Sequence, residues 1–149
     1  KALKLHTWMP PISWAPDPKM DVKACAAVRE AGRVTALAME AGLEHRDLHP
    51  DNLVARQVGA GTESRVEVFI LDLDRAELHD ELSTAARDGM LLRMARYLRR
   101  HEGDLPIRPT VVDTLRFLGG LGLDRVGRRA ELRRLAPLFA RELERHGLR

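Results

Sequence analysis

Three residues with carboxylate or amide side chains, Asp47, Asn52 and Asp72, have types and spacing that suit a metal-binding catalytic site. Asp47 lies five residues before Asn52, on a segment that Pro50 prevents from being helical. Asp72 follows the apolar run Phe69-Ile70-Leu71, which is typical of a strand. A carboxylate can accept the proton of a hydroxyl group, and carboxylate and amide oxygens are ligands for Mg²⁺. Phosphoryl transfer needs these parts, so the pattern predicts a site for that chemistry.

A second chemistry is open to the same segment, because His45, Asp47, His49 and Asp51 alternate and would share one face of an extended chain. Residues of these types bind transition metals, and such a set would suit metal-dependent hydrolysis. A proline bends the segment, however, and this interpretation gives Asp72 no role. The hydrolase therefore stands as an alternative to phosphoryl transfer.

The elements expected around these residues are a helix before the first loop and a pair of strands between the two loops. Small residues at helical spacing predict a helix from about Met20 to Ala41, capped by Asp17 or Asp21 and ended by Gly42. Residues 53–55 and 65–71 read as strands, joined through the glycines of residues 59–62 as a hairpin. This hairpin connects the amide of the first loop to the carboxylate of the second.

The second half of the chain is predicted to be helical. The expected helices are 77–101, 109–118 and one that begins after a cap at Asp124 and is kinked or divided by Pro137. Before the first helix, residues 1–8 predict a short strand and residues 8–18 a proline-rich loop. The predicted fold class is therefore α+β, mainly α, with residues 1–19 as a linker and residues 20–149 as one domain.

Composition and charge limit the class of protein. The 149 residues are 44% hydrophobic and 32% charged, as expected of a globular domain, and no apolar run approaches a membrane span, which favours a cytoplasmic location. A single cysteine, Cys25, excludes an internal disulfide. Residues 1–86 hold 10 Lys and Arg against 14 Asp and Glu, whereas residues 87–149 hold 15 Arg against 8 acids. An Arg-rich surface can meet anionic phosphates or can simply be a solvated helix face.

The two loops resemble those of the protein-kinase-like superfamily. His45-Arg46-Asp47-Leu48 with Asn52 is similar to its catalytic loop, and Leu71-Asp72-Leu73-Asp74 stands where protein kinases have Asp-Phe-Gly. The replacement of that glycine by Asp74, followed by Arg75, resembles the lipopolysaccharide core kinases that phosphorylate Kdo or heptose. The resemblance covers about residues 40 to 101.

This resemblance implies the C-terminal lobe of a kinase-like fold, with a catalytic loop at residues 45–54 and a metal loop at residues 69–75. It implies that ATP and Mg²⁺ are the cofactors and that a sugar or glycolipid is the phosphate acceptor. The implied roles are Asp47 as catalytic base and Asn52 and Asp72 as metal ligands. His45 is implied to be structural, with its ring bonded to the backbone of the metal loop, and Arg46 to organise nearby carboxylates. His49 and Asp51 would be turn or substrate residues, and Asp74 and Arg75 would be metal, phosphate or helix-capping residues.

The resemblance also implies a place and partners. A lipopolysaccharide kinase would work at the cytoplasmic face of the inner membrane, where the Arg-rich half could contact anionic lipid. Nucleic acid is not expected as a partner, and the oligomeric state is not predicted.

Two further alternatives remain. His49-Pro50 is similar to the loop of aminoglycoside and choline phosphotransferases, from which the chain departs at Arg46 and Asp51. The second alternative is a kinase-like module that has no catalytic activity. Neither a Gly-rich phosphate loop nor a strand lysine with its helical partner is found in the sequence, so we expect these residues to be a fragment that starts near the hinge between lobes and is inactive alone.

Overall fold

The fold is built from helices that surround two small antiparallel sheets. The computed structural model describes residues 3–4, 18–59, 64–104 and 109–148. Within these residues the helices are α1 (Pro18–Glu40), α2 (Thr84–Arg100), α3 (Val111–Gly120) and α4 (Arg125–Arg145), and the strands are β1 (Leu3–Lys4), β2 (Leu43–His45), β3 (Leu53–Val58), β4 (Arg65–Ile70) and β5 (Ala76–Leu78). The predicted α+β, mainly α class is confirmed. The proline-rich loop lies outside the described residues, as do most of the predicted first strand and most of the hairpin turn.

The sheets explain how the two loops come together. The larger sheet has the order β1-β3-β4, and β3 and β4 form the predicted hairpin, with Leu53 opposite Ile70 at its base. The smaller sheet pairs β2 with β5, so that His45 lies opposite Ala76. The catalytic loop is therefore bounded by β2 and β3, and the metal loop is bounded by β4 and β5. Each loop is held at both ends by strands that pair with strands of the other loop.

The core lies between α1, the hairpin and α2, and it includes residues of the catalytic loop itself. Leu48 and Leu53 are fully buried, one within the loop and one at its end. Deletion of a buried leucine side chain costs about 2–5 kcal/mol. These two residues therefore hold the loop against the core. The buried apolar cluster comprises Ala27, Ala31, Met39, Leu48, Leu53, Ala55, Val68, Leu82, Met90 and Met94.

The small residues of α1 allow α3 to cross it at close range. A Cβ atom on Gly32 would lie 2.1 Å from the carbonyl oxygen of Phe117, and one on Gly120 would lie 2.0 Å from that of Arg29. Both distances are far below a van der Waals contact, so each glycine is required by the approach of the two backbones. None of the helices in the described residues is both long enough and apolar enough to cross a bilayer.

The start of the second helix differs from the prediction. We expected a helix from residue 77, but α2 begins at Thr84 after an N-cap at Ser83, whose hydroxyl accepts a hydrogen bond from the backbone of Ala86. Residues 76–78 instead form β5, since pairing with β2 satisfies their backbone groups and closes the metal loop. The helix-capping role expected as one possibility for Asp74 is therefore wrong.

The later helices follow the predicted boundaries more closely. α3 begins at Val111, two residues later than expected, because Thr110 and Asp113 form a capping box. Asp124 caps α4 as predicted, through a 2.7 Å hydrogen bond from the backbone nitrogen of Gly127. α4 continues past Pro137 to Arg145, so of the two expected effects of this proline, a kink or a division, the division does not occur.

Candidate active site

A single buried imidazole, that of His45, links the backbones of the two loops. The side chain is fully buried at the end of β2. Its Nε2 lies 3.0 Å from the carbonyl oxygen of Leu71, and its Nδ1 accepts a hydrogen bond from the backbone nitrogen of Asp47 at 3.2 Å. A carbonyl only accepts and an amide only donates, so a neutral ring with its proton on Nε2 satisfies both bonds. The hydrogen bond expected between this ring and the backbone of the metal loop is present.

Asn52 makes a second link between the loops. The residue is buried, at the end of a 3-10 turn that spans Pro50–Asn52. Its Nδ2 donates to the backbone oxygen of Asp47 at 2.9 Å, and its own backbone oxygen accepts from the nitrogen of Leu71 at 2.8 Å. Nδ2 also lies 3.4 Å from Nε2 of His49. Because the amide nitrogen faces these inward partners, the side-chain oxygen is the atom available to a cation.

Asp72 has the most unusual backbone conformation in the site. Its φ of 57° and ψ of 64° lie in the left-handed region, and it is the one residue other than glycine with positive φ in the described part of the chain. Aspartate tolerates this conformation better than most residues, at a cost of about 1 kcal/mol. The conformation turns the chain from β4 into a 3-10 turn at Leu73–Arg75 and leaves Asp72 exposed. Strained residues of this kind cluster at functional sites.

Asp47 combines a fixed backbone with an accessible carboxylate. Its nitrogen is bound by His45 and its oxygen by Asn52, while the neighbouring Leu48 is fully buried. The Asp47 side chain is 52% exposed, and its Oδ2 lies 3.7 Å from Nε2 of His49. An accessible carboxylate on a fixed backbone is the arrangement that a general base requires.

The other predicted site residues lie around this centre. Arg46, the residue after β2, forms a 2.6 Å ion pair with Glu77 of β5, and a carboxylate is the kind of partner expected for it. His49 is half-buried in the loop, whereas Asp74 and Arg75 are exposed in the turn after Asp72.

Two residues that support the catalytic loop from α2, Arg93 and Tyr97, were not predicted. The Tyr97 hydroxyl donates to Oδ2 of Asp51 at 2.5 Å, and its ring stacks on His49 with centroids 4.6 Å apart. Burial and the Asp51 carboxylate raise the pKa of Tyr97 to about 12. Arg93 donates to the backbone oxygen of His45 at 3.4 Å, and burial lowers the pKa of its guanidinium.

The geometry weakens the alternative of a transition-metal hydrolase. Both ring nitrogens of His45 are hydrogen-bonded to backbone, and Asp51 accepts the hydroxyl of Tyr97. These two residues are therefore not free to join His49 as ligands. The group of three potential ligands found among the described residues is a different one, Glu44, Glu77 and His79, and both of its carboxylates lie beside arginines.

The fold is similar to that of a solved structure described as WaaP in complex with acyl carrier protein. The similarity has a TM-score of 0.69 at 22% sequence identity, and it covers 97% of this chain and 57% of that chain. The chain thus spans little more than half the length of that protein. A comparison with curated proteins gave no match.

A protein-family model matches most of the sequence. It is the model of the lipopolysaccharide kinase (Kdo/WaaP) family, and the match extends over residues 7–118. This range contains the catalytic loop, the hairpin, the metal loop and α2. The chain therefore belongs to the lipopolysaccharide kinase (Kdo/WaaP) family.

Proposed function

We propose that the protein transfers the γ-phosphate of ATP to a sugar hydroxyl, that of Kdo or heptose, in the inner core of lipopolysaccharide. The observation that carries this proposal is the pair of links between the two loops. His45 and Asn52 each bond to Asp47 on one loop and to Leu71 on the other. Asp72, the next residue, is thereby held beside the loop that carries Asp47.

The proposed roles follow from exposure and atom type. Asp47 orients the acceptor hydroxyl and accepts its proton, since its carboxylate is accessible. The side-chain oxygen of Asn52 and the carboxylate of Asp72 are hard oxygen donors, which fit Mg²⁺. The metal, when bound with ATP, neutralises charge on the transferred phosphoryl group. Arg75, exposed three residues after Asp72, is proposed to contact phosphate, and Asp74 to contact the metal or the sugar.

The first experiment measures transfer of labelled phosphate from ATP by the full-length protein. Acceptors are lipopolysaccharide precursors that end in Kdo or in heptose, together with an aminoglycoside and choline. We expect transfer to a lipopolysaccharide sugar. Preference for an aminoglycoside or choline would instead support the small-molecule phosphotransferase alternative. The 149-residue chain on its own is expected to be inactive, because neither a Gly-rich phosphate loop nor a strand lysine paired with a helical glutamate is recognised in its sequence.

Variants test the site assignment. Asp47→Asn and Asp72→Asn are each expected to reduce kcat by about 100-fold or more. The matched control is Asp80→Asn, which makes the same chemical change at an exposed residue between β5 and α2. Wild-type rates in both site variants would refute the assignment, and an equal loss in the control would show that the effect is not specific to the site.

The setting of the reaction is also a proposal. We place the protein in the cytoplasm, at the inner membrane that holds the glycolipid acceptor. The solved WaaP structure contains acyl carrier protein, and we propose that protein as a partner to test here. A purified mixture of the two proteins in gel filtration should show a joint peak, and separate peaks would contradict this partner.

A further inference from the structure

Four arginines form an exposed cationic face on α4. Arg125, Arg129 and Arg133 follow one another at intervals of four residues, and Arg141 continues the series beyond the exposed Pro137. We call these four residues the arginine face. All four are exposed, and none of them forms an ion pair or side-chain hydrogen bond with another residue in the parts of the chain that the structure describes.

Most of the remaining charges of α4 form ion pairs or hydrogen bonds within the fold. Arg134 binds Asp88 of α2 at 2.6 Å and Glu131 at 2.7 Å. Glu142 binds Arg96 of α2 at 2.5 Å and Arg145 at 3.3 Å. The carboxylates of Glu131 and Glu142 are therefore engaged elsewhere and do not neutralise the arginine face. Glu144, near the end of the helix, is the exposed acid of α4.

Helix stability does not account for this arrangement. Arg125 is the first residue of α4, and the first turn contains no acidic residue. The amino-terminal end of a helix carries partial positive charge, so a cation there is unfavourable. Arginines four residues apart also repel each other. Arg125, Arg129 and Arg133 thus carry charges where they weaken the helix, and an external anionic partner would remove this repulsion.

An apolar side chain within the face indicates what kind of partner fits. Val126, next to Arg125, is 73% exposed. Arginine binds phosphate groups well, and an aliphatic side chain among arginines suits the boundary between headgroups and acyl chains. At about 1.5 Å per residue, the 21 residues of α4 extend about 31 Å, long enough for several headgroups.

We propose that the arginine face docks the protein on an anionic phospholipid bilayer. The choice of a membrane over another polyanion rests on the proposed function, because a lipopolysaccharide precursor is anchored in a bilayer. The docking would hold the protein at the surface in which its acceptor is anchored. The binding step itself requires neither ATP nor the sugar, so it can be measured separately.

The test is cosedimentation of the full-length protein with vesicles of phosphatidylcholine alone or mixed with phosphatidylglycerol. The variant replaces Arg125, Arg129 and Arg133 with glutamine. Each arginine near an anionic surface strengthens binding about fivefold, so we expect partitioning to fall roughly 100-fold. The matched control replaces three exposed arginines of α1 and α2 with glutamine and should keep most of its binding; these are Arg29, Arg87 and Arg100.

Each outcome decides something. Binding that needs phosphatidylglycerol, weakens as salt is raised and is lost in the face variant but not in the control would support the proposal. Equal loss in both variants, no binding by the wild type, or tighter binding to double-stranded nucleic acid would overturn it. The thermal midpoint of the face variant should equal or exceed that of the wild type, which excludes misfolding. Transfer to a water-soluble Kdo acceptor should be unchanged, so failure of docking and failure of the kinase assignment are distinguishable.

Discussion

Removal of the His45 ring should separate the two loops, and the size of the effect can be worked from its contacts. In His45→Ala the backbone nitrogen of Asp47 and the oxygen of Leu71 both lose a buried partner. Each unsatisfied group costs about 1–3 kcal/mol, and the cavity left by a fully buried ring adds to this. We expect a decrease of about 3–5 kcal/mol in the free energy of unfolding. That is a large part of the stability of an ordinary domain.

Two conservative variants divide this effect between the loops. In His45→Gln the side-chain amide reaches as far as Nε2 and can still donate to Leu71, whereas the acceptor for Asp47 is lost. In His45→Asn the side-chain oxygen lies near the place of Nδ1 and can still accept from Asp47, but the link to Leu71 is lost. Each variant should cost about 1–3 kcal/mol, because each leaves one buried backbone group unpaired.

Kinetic measurements on these variants then show which loop each hydrogen bond of the His45 ring supports. With the full-length protein, His45→Asn should raise the Mg²⁺ concentration needed for half-maximal transfer, since the metal loop is released. His45→Gln should reduce kcat with a smaller change in the Mg²⁺ requirement, since the base is less well oriented. Urea unfolding measures the stabilities. If His45→Ala lost less than about 1 kcal/mol and kept its Mg²⁺ dependence, the account of this ring as a link between the loops would be wrong.

The other predictions concern two further residues of the site, Tyr97 and Asp72. Tyr97→Phe keeps the stack on His49 but removes the bond to Asp51, so we expect a loss of about 1–3 kcal/mol in urea unfolding. Folding raises the pKa of Tyr97 from 10.0 to about 12. The contribution of its hydroxyl group to the free energy of unfolding is therefore complete below pH 10.0 and is lost as the pH rises through about 12. If the stability of the wild type did not fall relative to that of Tyr97→Phe between these two pH values, this account would be wrong. At Asp72, both Asp72→Gly and Asp72→Ala should abolish phosphate transfer. The free energy of unfolding of Asp72→Ala should be about 1 kcal/mol lower than that of Asp72→Gly, since only glycine adopts positive φ without strain. Equal stability of the two variants would argue against that strain.

The sequence predicted those parts of the site whose chemistry follows directly from residue type and spacing. The order of Asp47, Asn52, hairpin and Asp72 was sufficient to predict two loops joined by β3 and β4, and the family match agrees with the resemblance drawn from them. The predicted contact of the His45 ring was also found. These successes share a cause: local patterns and short spacings constrain a hairpin strongly.

The features that were missed depend on contacts between distant residues. β5 was predicted as helix because residues 77–83 carry no strong strand pattern, and pairing with β2 decided its conformation. Arg93 and Tyr97 lie four residues apart on α2, so the sequence shows that they share one face of the helix. Their partners in the catalytic loop cannot be inferred from that spacing. Tertiary contacts override local propensity in both cases.

The conformation of the catalytic loop is fixed by side chains rather than by regular secondary structure. Between β2 and β3 its backbone is fixed by the His45 ring, the Asn52 amide and the Tyr97 hydroxyl acting on Asp51. Two of these three groups come from the loop's own flanks, and the third comes from α2, which is joined to α4 by the ion pairs of Arg96 and Arg134. α2 therefore contacts both the catalytic loop and the helix that carries the arginine face. Tyr97 lies on this shared helix, so a change in its environment on vesicle binding is the measurement that tests whether docking is coupled to the catalytic loop.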